Sequence, residues 1–124
     1  MNLEQVYQYC LQKPQAEETF PFDQDTLVFK VCGKMFALLP LEKWEAGQGS
    51  ISLKCDPKYA IELREEYDSI KAAYHMNKAH WNTIYLSKNE ITYDLLCDLI
   101  DQSYSLVVSK LTKKQQSQLN INNN

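Results

Sequence analysis

Residues 26–39 constrain this chain more than any other stretch. Thr26 to Cys32 is rich in β-branched and aromatic side chains, Met35 to Leu39 is apolar, and Gly33-Lys34 reads as a two-residue turn of the Gly-X type between them. Strands joined this tightly pair antiparallel. Ser50 to Cys55 then alternates, with Ile51, Leu53 and Cys55 on one face and Ser50, Ser52 and Lys54 on the other, as a half-exposed strand does. Its polar face is either solvated or a platform for a ligand. Trp81 to Leu86 is a further strand, placing Trp81, Thr83 and Tyr85 opposite Asn82, Ile84 and Leu86. Gln15 to Phe22 is compatible with a short edge strand, since Pro21 removes a ladder donor.

Helical signals surround these strands. Asn2 with Gln5 forms a capping-box pattern ahead of Leu3, Val6, Tyr7, Cys10 and Leu11, whose spacing is that of a core stripe ended by Pro14. Asp56-Pro57 is a cap followed by proline at the first helical position, which predicts a helix from Lys58 to Tyr67 with Glu62, Glu65 and Glu66 facing solvent. A long last helix, Tyr93 to Leu111, buries Leu95, Leu96, Leu99, Ile100, Leu106, Val107 and Leu111, and Thr112 to Leu119 continues as a short helix. Residues 41–49, with Trp44, Gly47 and Gly49, read as a loop. The predicted order is α-β-β-β-β-α-β-α, an α+β domain whose antiparallel sheet packs against helices on one side.

The chain's 124 residues suit one domain, expected over 1–119, with a frayed polar tail at 120–124. Its longest apolar stretch, Met35 to Leu41, is seven residues with Pro40 inside it, against about 20 for a membrane span. No basic cluster followed by an apolar core opens the chain, so a cytoplasmic protein without a membrane partner is expected. Cys10, Cys32, Cys55 and Cys97 lack the close spacing of zinc or redox motifs and are expected to be reduced structural thiols.

The formal net charge is −3, but it is unevenly spread: −4 over residues 1–29, +2 over 30–54, −2 over 55–67, +2 over 68–88 and −1 over 89–124. A weakly acidic chain with two cationic segments can still present a local surface to an anion. Both histidines lie in Tyr74-His75-Met76-Asn77-Lys78-Ala79-His80-Trp81-Asn82. Their i, i+5 spacing does not converge on a metal, and no nucleophile-elbow or phosphate-loop pattern accompanies the Ser and Cys residues. Neither metal ligands nor catalytic residues are assigned, and no cofactor is expected. An anion or nucleic-acid surface suits the residue types better: Lys78 supplies charge, Asn77 and Asn82 hydrogen-bonding amides, His75 and His80 donors or stacking rings, Trp81 and Tyr74 aromatic faces. The structural alternative makes Trp81 core and lets a histidine bond backbone carbonyls. Arg64 is the only arginine, so any DNA contact would run from lysine to phosphate.

The Tyr74 to Asn82 segment closely resembles the signature of the bacterial MmcQ/YjbR family. Gly33-Lys34-Met35-Phe36-Ala37-Leu38, Ser52-Leu53-Lys54-Cys55-Asp56-Pro57 and Asp101-Gln102-Ser103-Tyr104 leading into Leu106-Val107 fall in the expected order, with Ala72 standing where the family often has proline. The resemblance implies a CyaY-like (frataxin-like) α+β fold with a twisted antiparallel sheet packed against helices, and a DNA-binding protein with a double-wing arrangement, resting largely on likeness of fold. By motif position it points to Lys34, Lys54, His75, Asn77, Lys78, His80 and Trp81. The leading expectation is a monomeric, non-catalytic protein that binds DNA or another polyanion weakly and salt-sensitively. The alternative is a module for a protein or small anionic ligand, with the Tyr74 to Trp81 motif lining a pocket. An enzyme is the lesser expectation, as is iron handling through Glu4, Glu17, Glu18, Asp23 and Asp25.

Overall fold

Asn2 opens the first helix as its pattern predicts: its side chain accepts the Gln5 amide while the Gln5 side chain accepts the Asn2 amide. In the computed structural model, which describes residues 1–123 and side chains as far as Leu119, α1 (Leu3–Leu11) leads into β1 (Ala16–Thr19), β2 (Thr26–Val31) and β3 (Lys34–Pro40). A short α2 (Leu41–Glu45) precedes β4 (Ser50–Lys54) and α3 (Pro57–Glu66). Then come β5 (Ile70–Ala72), β6 (Trp81–Tyr85), α4 (Tyr93–Ser109) and α5 (Lys113–Asn123). The expected tail at 120–124 lies outside the residues whose side chains are described. None of the described helices is long and apolar enough to cross a membrane.

The six strands form one antiparallel sheet in the order β1-β2-β3-β4-β6-β5. Leu27, Phe29 and Val31 of β2, Ile51 and Leu53 of β4 and Ile84 of β6 meet Val6 and Cys10 of α1, Leu63 of α3 and Leu96, Leu99, Ile100 and Val107 of α4 in the main core. The architecture is therefore α+β, with helices against one face of the sheet.

Four features of the order differ from the reading above. The hairpin turn is Cys32-Gly33, not Gly33-Lys34: φ is 49° at Cys32 and 77° at Gly33, and Val31 pairs with Lys34. Two consecutive positive φ values make a turn of the I′ kind, and Lys34 is left to start β3. Between 41 and 49 the loop contains α2, whose five residues are too few to show a helical period. Ile70 to Ala72 is a strand of three residues, too short to alternate visibly, and it pairs with β6 at the sheet edge. A bulge shifts the register between Phe29, opposite Ala37, and Lys30, opposite Met35, leaving Phe36 as the extra residue. Phe36, Ala37 and Leu39 consequently all enter the main core, while Met35 and Leu38 face the other way.

Candidate ligand-binding groove

The sheet face away from the main core is not bare. Val28, Leu38, Ala73 and Trp81 form a second, smaller buried cluster, with Met35 and Met76 packed against it. Next to it Ser52 and Thr83, directly opposite on β4 and β6, share a hydrogen bond of 2.8 Å between their hydroxyls. Ser50 and Tyr85 form the next outward-facing pair along the same two strands. These side chains floor a groove of about 1080 Å³. Phe22 and Asp23 of the β1–β2 connection, Lys43 of α2, and Tyr74, His75, Met76 and Asn77 of the β5–β6 loop line it as well. The volume is at the upper end of that of small-molecule sites, and the mixture of apolar floor with a few hydroxyls is their usual lining. A separate void of about 10 Å³ among Leu53, Ile70, Ile84 and Leu99 has room for no more than a water.

The loop that forms one wall is tied down by its own sequence. The Asn77 side chain accepts the Ala79 amide at 3.0 Å, and the Asn77 carbonyl accepts both the His80 and Trp81 amides. From α3, Arg64 donates to the Lys78 carbonyl at 3.3 Å and to the side-chain oxygen of Asn82 at 2.7 Å, and Asn82 in turn donates to the Ala60 carbonyl. Asn82 is 2% exposed and lies on the helix side of β6. The single arginine thus holds the loop in place.

A family model described as YjbR matches residues 11–106. The Escherichia coli O157:H7 protein YbdF is 40% identical over 110 residues, covering 89% of this chain and 87% of its own length. The chain belongs to the MmcQ/YjbR family. YjbR of Escherichia coli K12 is 31% identical over 119 residues, covering 96% of this chain and 98% of its own. Among solved structures, the Deinococcus radiodurans protein DR2400, with a family-model domain DUF419, matches at a TM-score of 0.85 and 36% identity, covering 96% and 88%. A Pseudomonas syringae protein matches at 0.69 and 32%, covering 86% and 98%.

In this MmcQ/YjbR protein the motif residues divide. His75, Asn77 and Trp81 come together at the groove. Lys54 stands opposite Trp81 on the same face but just outside the lining. Lys34 pairs with Val31, a main-core residue, and so shares the helix-side face at the hairpin end. Lys78 lies 5.9 Å from the centre of the Tyr74 ring, itself 4.6 Å from the His75 ring in an edge-to-face arrangement. His80 contributes its backbone, whose carbonyl accepts the Cys55 amide at 2.8 Å. The Asp101-to-Tyr104 stretch is architectural. Asp101 accepts Tyr9 and Lys13 of the N-terminal segment, Ser103 bridges two strands, and Tyr104 donates to the Pro14 carbonyl. What the sequence does not announce is the apolar part of the floor, Met35 and Leu38, and the pairing that joins the Ser50–Ser52 face to the Thr83–Tyr85 face, since that depends on the strand order.

No cysteine thiol lines this groove. Its two central hydroxyls bond to each other, and the four cysteines are free thiols away from the lining. Burial pushes the Cys10 thiol up to about 12 and that of Cys55 to about 11. Since the thiolate is the reactive form, Cys10 and Cys55 are expected to resist iodoacetamide at pH 8 in the native protein and to react fully in urea. Peptide mapping after each treatment checks this, and native labelling of Cys10 as fast as in urea would contradict it. Among the described residues no three His, Cys, Asp or Glu side chains gather into a group able to hold a metal ion.

Proposed function

We propose that this protein is a binding module whose open sheet face takes a largely apolar small molecule in the groove between the β1–β2 connection and the Tyr74 to Asn77 wall. The observation that carries the reading is the groove: about 1080 Å³ over a floor of Leu38, Met35 and Trp81 with the Ser52–Thr83 hydroxyl pair beside them. In this reading the module acts as a cytoplasmic monomer, and its layered antiparallel architecture groups with CyaY-like folds.

DNA binding is the second reading, favoured by the placement of Lys54 on the open face next to Trp81 and of Lys30 opposite Met35 in the same sheet. The groove reading is preferred because Lys34, Lys54 and Lys78 do not line one concave surface and Arg64 is occupied by Asn82. Few lysines remain to act together, whereas strongly salt-dependent binding needs several phosphate contacts.

Titration with the uncharged fluorophore N-phenyl-1-naphthylamine separates the readings. Saturable enhancement, unchanged between about 50 and 200 mM salt and lost in Ser52→Tyr, is expected of the groove, because salt screens charge but not apolar burial. Labelled duplex and single-stranded DNA titrated in the same buffers should show no binding that falls steeply with salt. No saturable fluorophore binding, or equal binding by Ser52→Tyr of native circular dichroism, overturns the groove reading.

A further inference from the structure

The lining of the groove is not uniform along its length. Trp81 and Tyr85 lie at opposite ends of β6, four residues or about 13 Å apart. Around Trp81 the lining is Met35, Met76 and Ala73, soft apolar groups that pack on one another. Around Tyr85 it is Ser50, Ser87, Gln48 and Lys43. The strand floor of the groove thus passes from apolar at Trp81 to hydroxyl-bearing at Tyr85, while the walls are mixed, with Tyr74, His75 and Asn77 at the first end and Phe22 and Pro40 toward the second.

Two charged side chains line it near the junction of β2, β3 and α2: Asp23 and Lys43. They are unequally available. Asp23 already accepts the Asp25 amide at 2.9 Å, the Thr26 amide at 2.6 Å and the Thr26 hydroxyl at 3.3 Å, so its oxygens are committed to the turn that enters β2. Lys43 has no such engagement: among the described residues the one ion pair is Lys13 with Asp101. His75, the other basic lining group, also has no carboxylate partner there. Asp23 keeps its negative charge, held ionised by those amide donors, so what distinguishes Lys43 is an ammonium with unused donors, and a ligand that lays its apolar body toward Trp81 brings its other end to it.

Resting on the groove reading, we infer that the ligand is an anionic amphiphile, an apolar body on the order of 13 Å long ending in one acidic head group that Lys43 receives beside Ser50 and Tyr85. The class covers a medium-length alkyl acid and an extended aromatic acid, which share this chemistry.

Three probes test it: neutral N-phenyl-1-naphthylamine, its sulfonated counterpart 1-anilinonaphthalene-8-sulfonate, and decanoate as a competitor. The wild type is expected to bind all three at one site. Lys43→Met should weaken the sulfonate and decanoate by about five- to tenfold, the range of an exposed charge-assisted hydrogen bond, and change the neutral probe less than about twofold. Lys43→Arg should restore the anions, which a merely structural role would not require. If the neutral probe binds saturably but Lys43→Met leaves both anions unchanged, or decanoate does not compete, the head-group assignment is overturned while the groove reading stands. If the neutral probe itself does not bind, both fall.

Discussion

Ser103→Ala is expected to destabilise the fold by about 2–4 kcal/mol, more than the size of one hydroxyl suggests. Ser103 sits on the buried side of α4 with none of its surface exposed. Its hydroxyl donates to the Phe36 carbonyl at 2.6 Å and accepts the Lys54 amide at 2.9 Å. Both partners belong to strands where regular pairing has stopped: β3 and β4 pair only at Ala37 with Leu53 and Leu38 with Ser52, and the bulge residue Phe36 comes next. The hydroxyl replaces the ladder across that gap. With alanine the two backbone groups lose it, each costing about 1–3 kcal/mol, and no water reaches a fully enclosed site to substitute. Urea unfolding followed by circular dichroism measures the change. A Ser103→Ala midpoint within about 0.5 kcal/mol of wild type at unchanged slope would contradict this account. Ser103→Thr, which keeps the hydroxyl, should lose less unless its added methyl overpacks the site.

The same serine shows what local patterns can and cannot convey. Helices α1, α3 and α4 were readable because caps and 3.6-residue stripes are properties of contiguous sequence, and the Ser50-to-Lys54 alternation was readable for the same reason. The turn differs by one residue because a cysteine with φ of 49° is unusual: the sequence pattern puts Gly33 first in the turn, and the structure puts it second. In a strand a one-residue slip exchanges the faces, and here the bulge at Phe36 exchanges them again. From the sequence alone Met35 and Leu38 could not both be assigned to the open face. The Tyr74-to-Trp81 segment was recognisable as a concentration of chemistry, yet which members meet depends on the turn made by Asn77 and the anchor from Arg64, contacts formed across 18 residues or fewer but through side chains. Lysines selected by motif position separated once the sheet order put Lys34 and Lys54 on different faces.

Replacing the anchor should couple stability to the groove. Asn82→Leu is nearly isosteric, but it removes the acceptor of the Arg64 guanidinium and the donor to the Ala60 carbonyl, and we expect a loss of about 2–3 kcal/mol. Arg64 is only half-buried, so water takes up part of the stranded charge, which keeps the cost below that of a fully enclosed ion. Arg64→Met removes the charge together with its bond to the Lys78 carbonyl. If the pair acts as a unit, the double variant should be less damaged than the sum of the singles by at least about 1 kcal/mol, because the second substitution removes a group already left unpartnered. Strict additivity would show that Asn82 and Arg64 contribute separately. The anchor also fixes the loop whose residues Tyr74 to Asn77 form the groove wall. Each single variant, at a temperature where it remains folded, should therefore bind N-phenyl-1-naphthylamine more weakly than wild type. Hydrogen exchange supplies the local readout: the Ala73, His80 and Trp81 amides, bonded within the loop and to β6, should exchange faster in both variants while those of α1 do not. Uniform acceleration throughout the chain would instead mean that Arg64 and Asn82 support only global stability and that the wall is held by Ala73 and Met76 packing on Trp81.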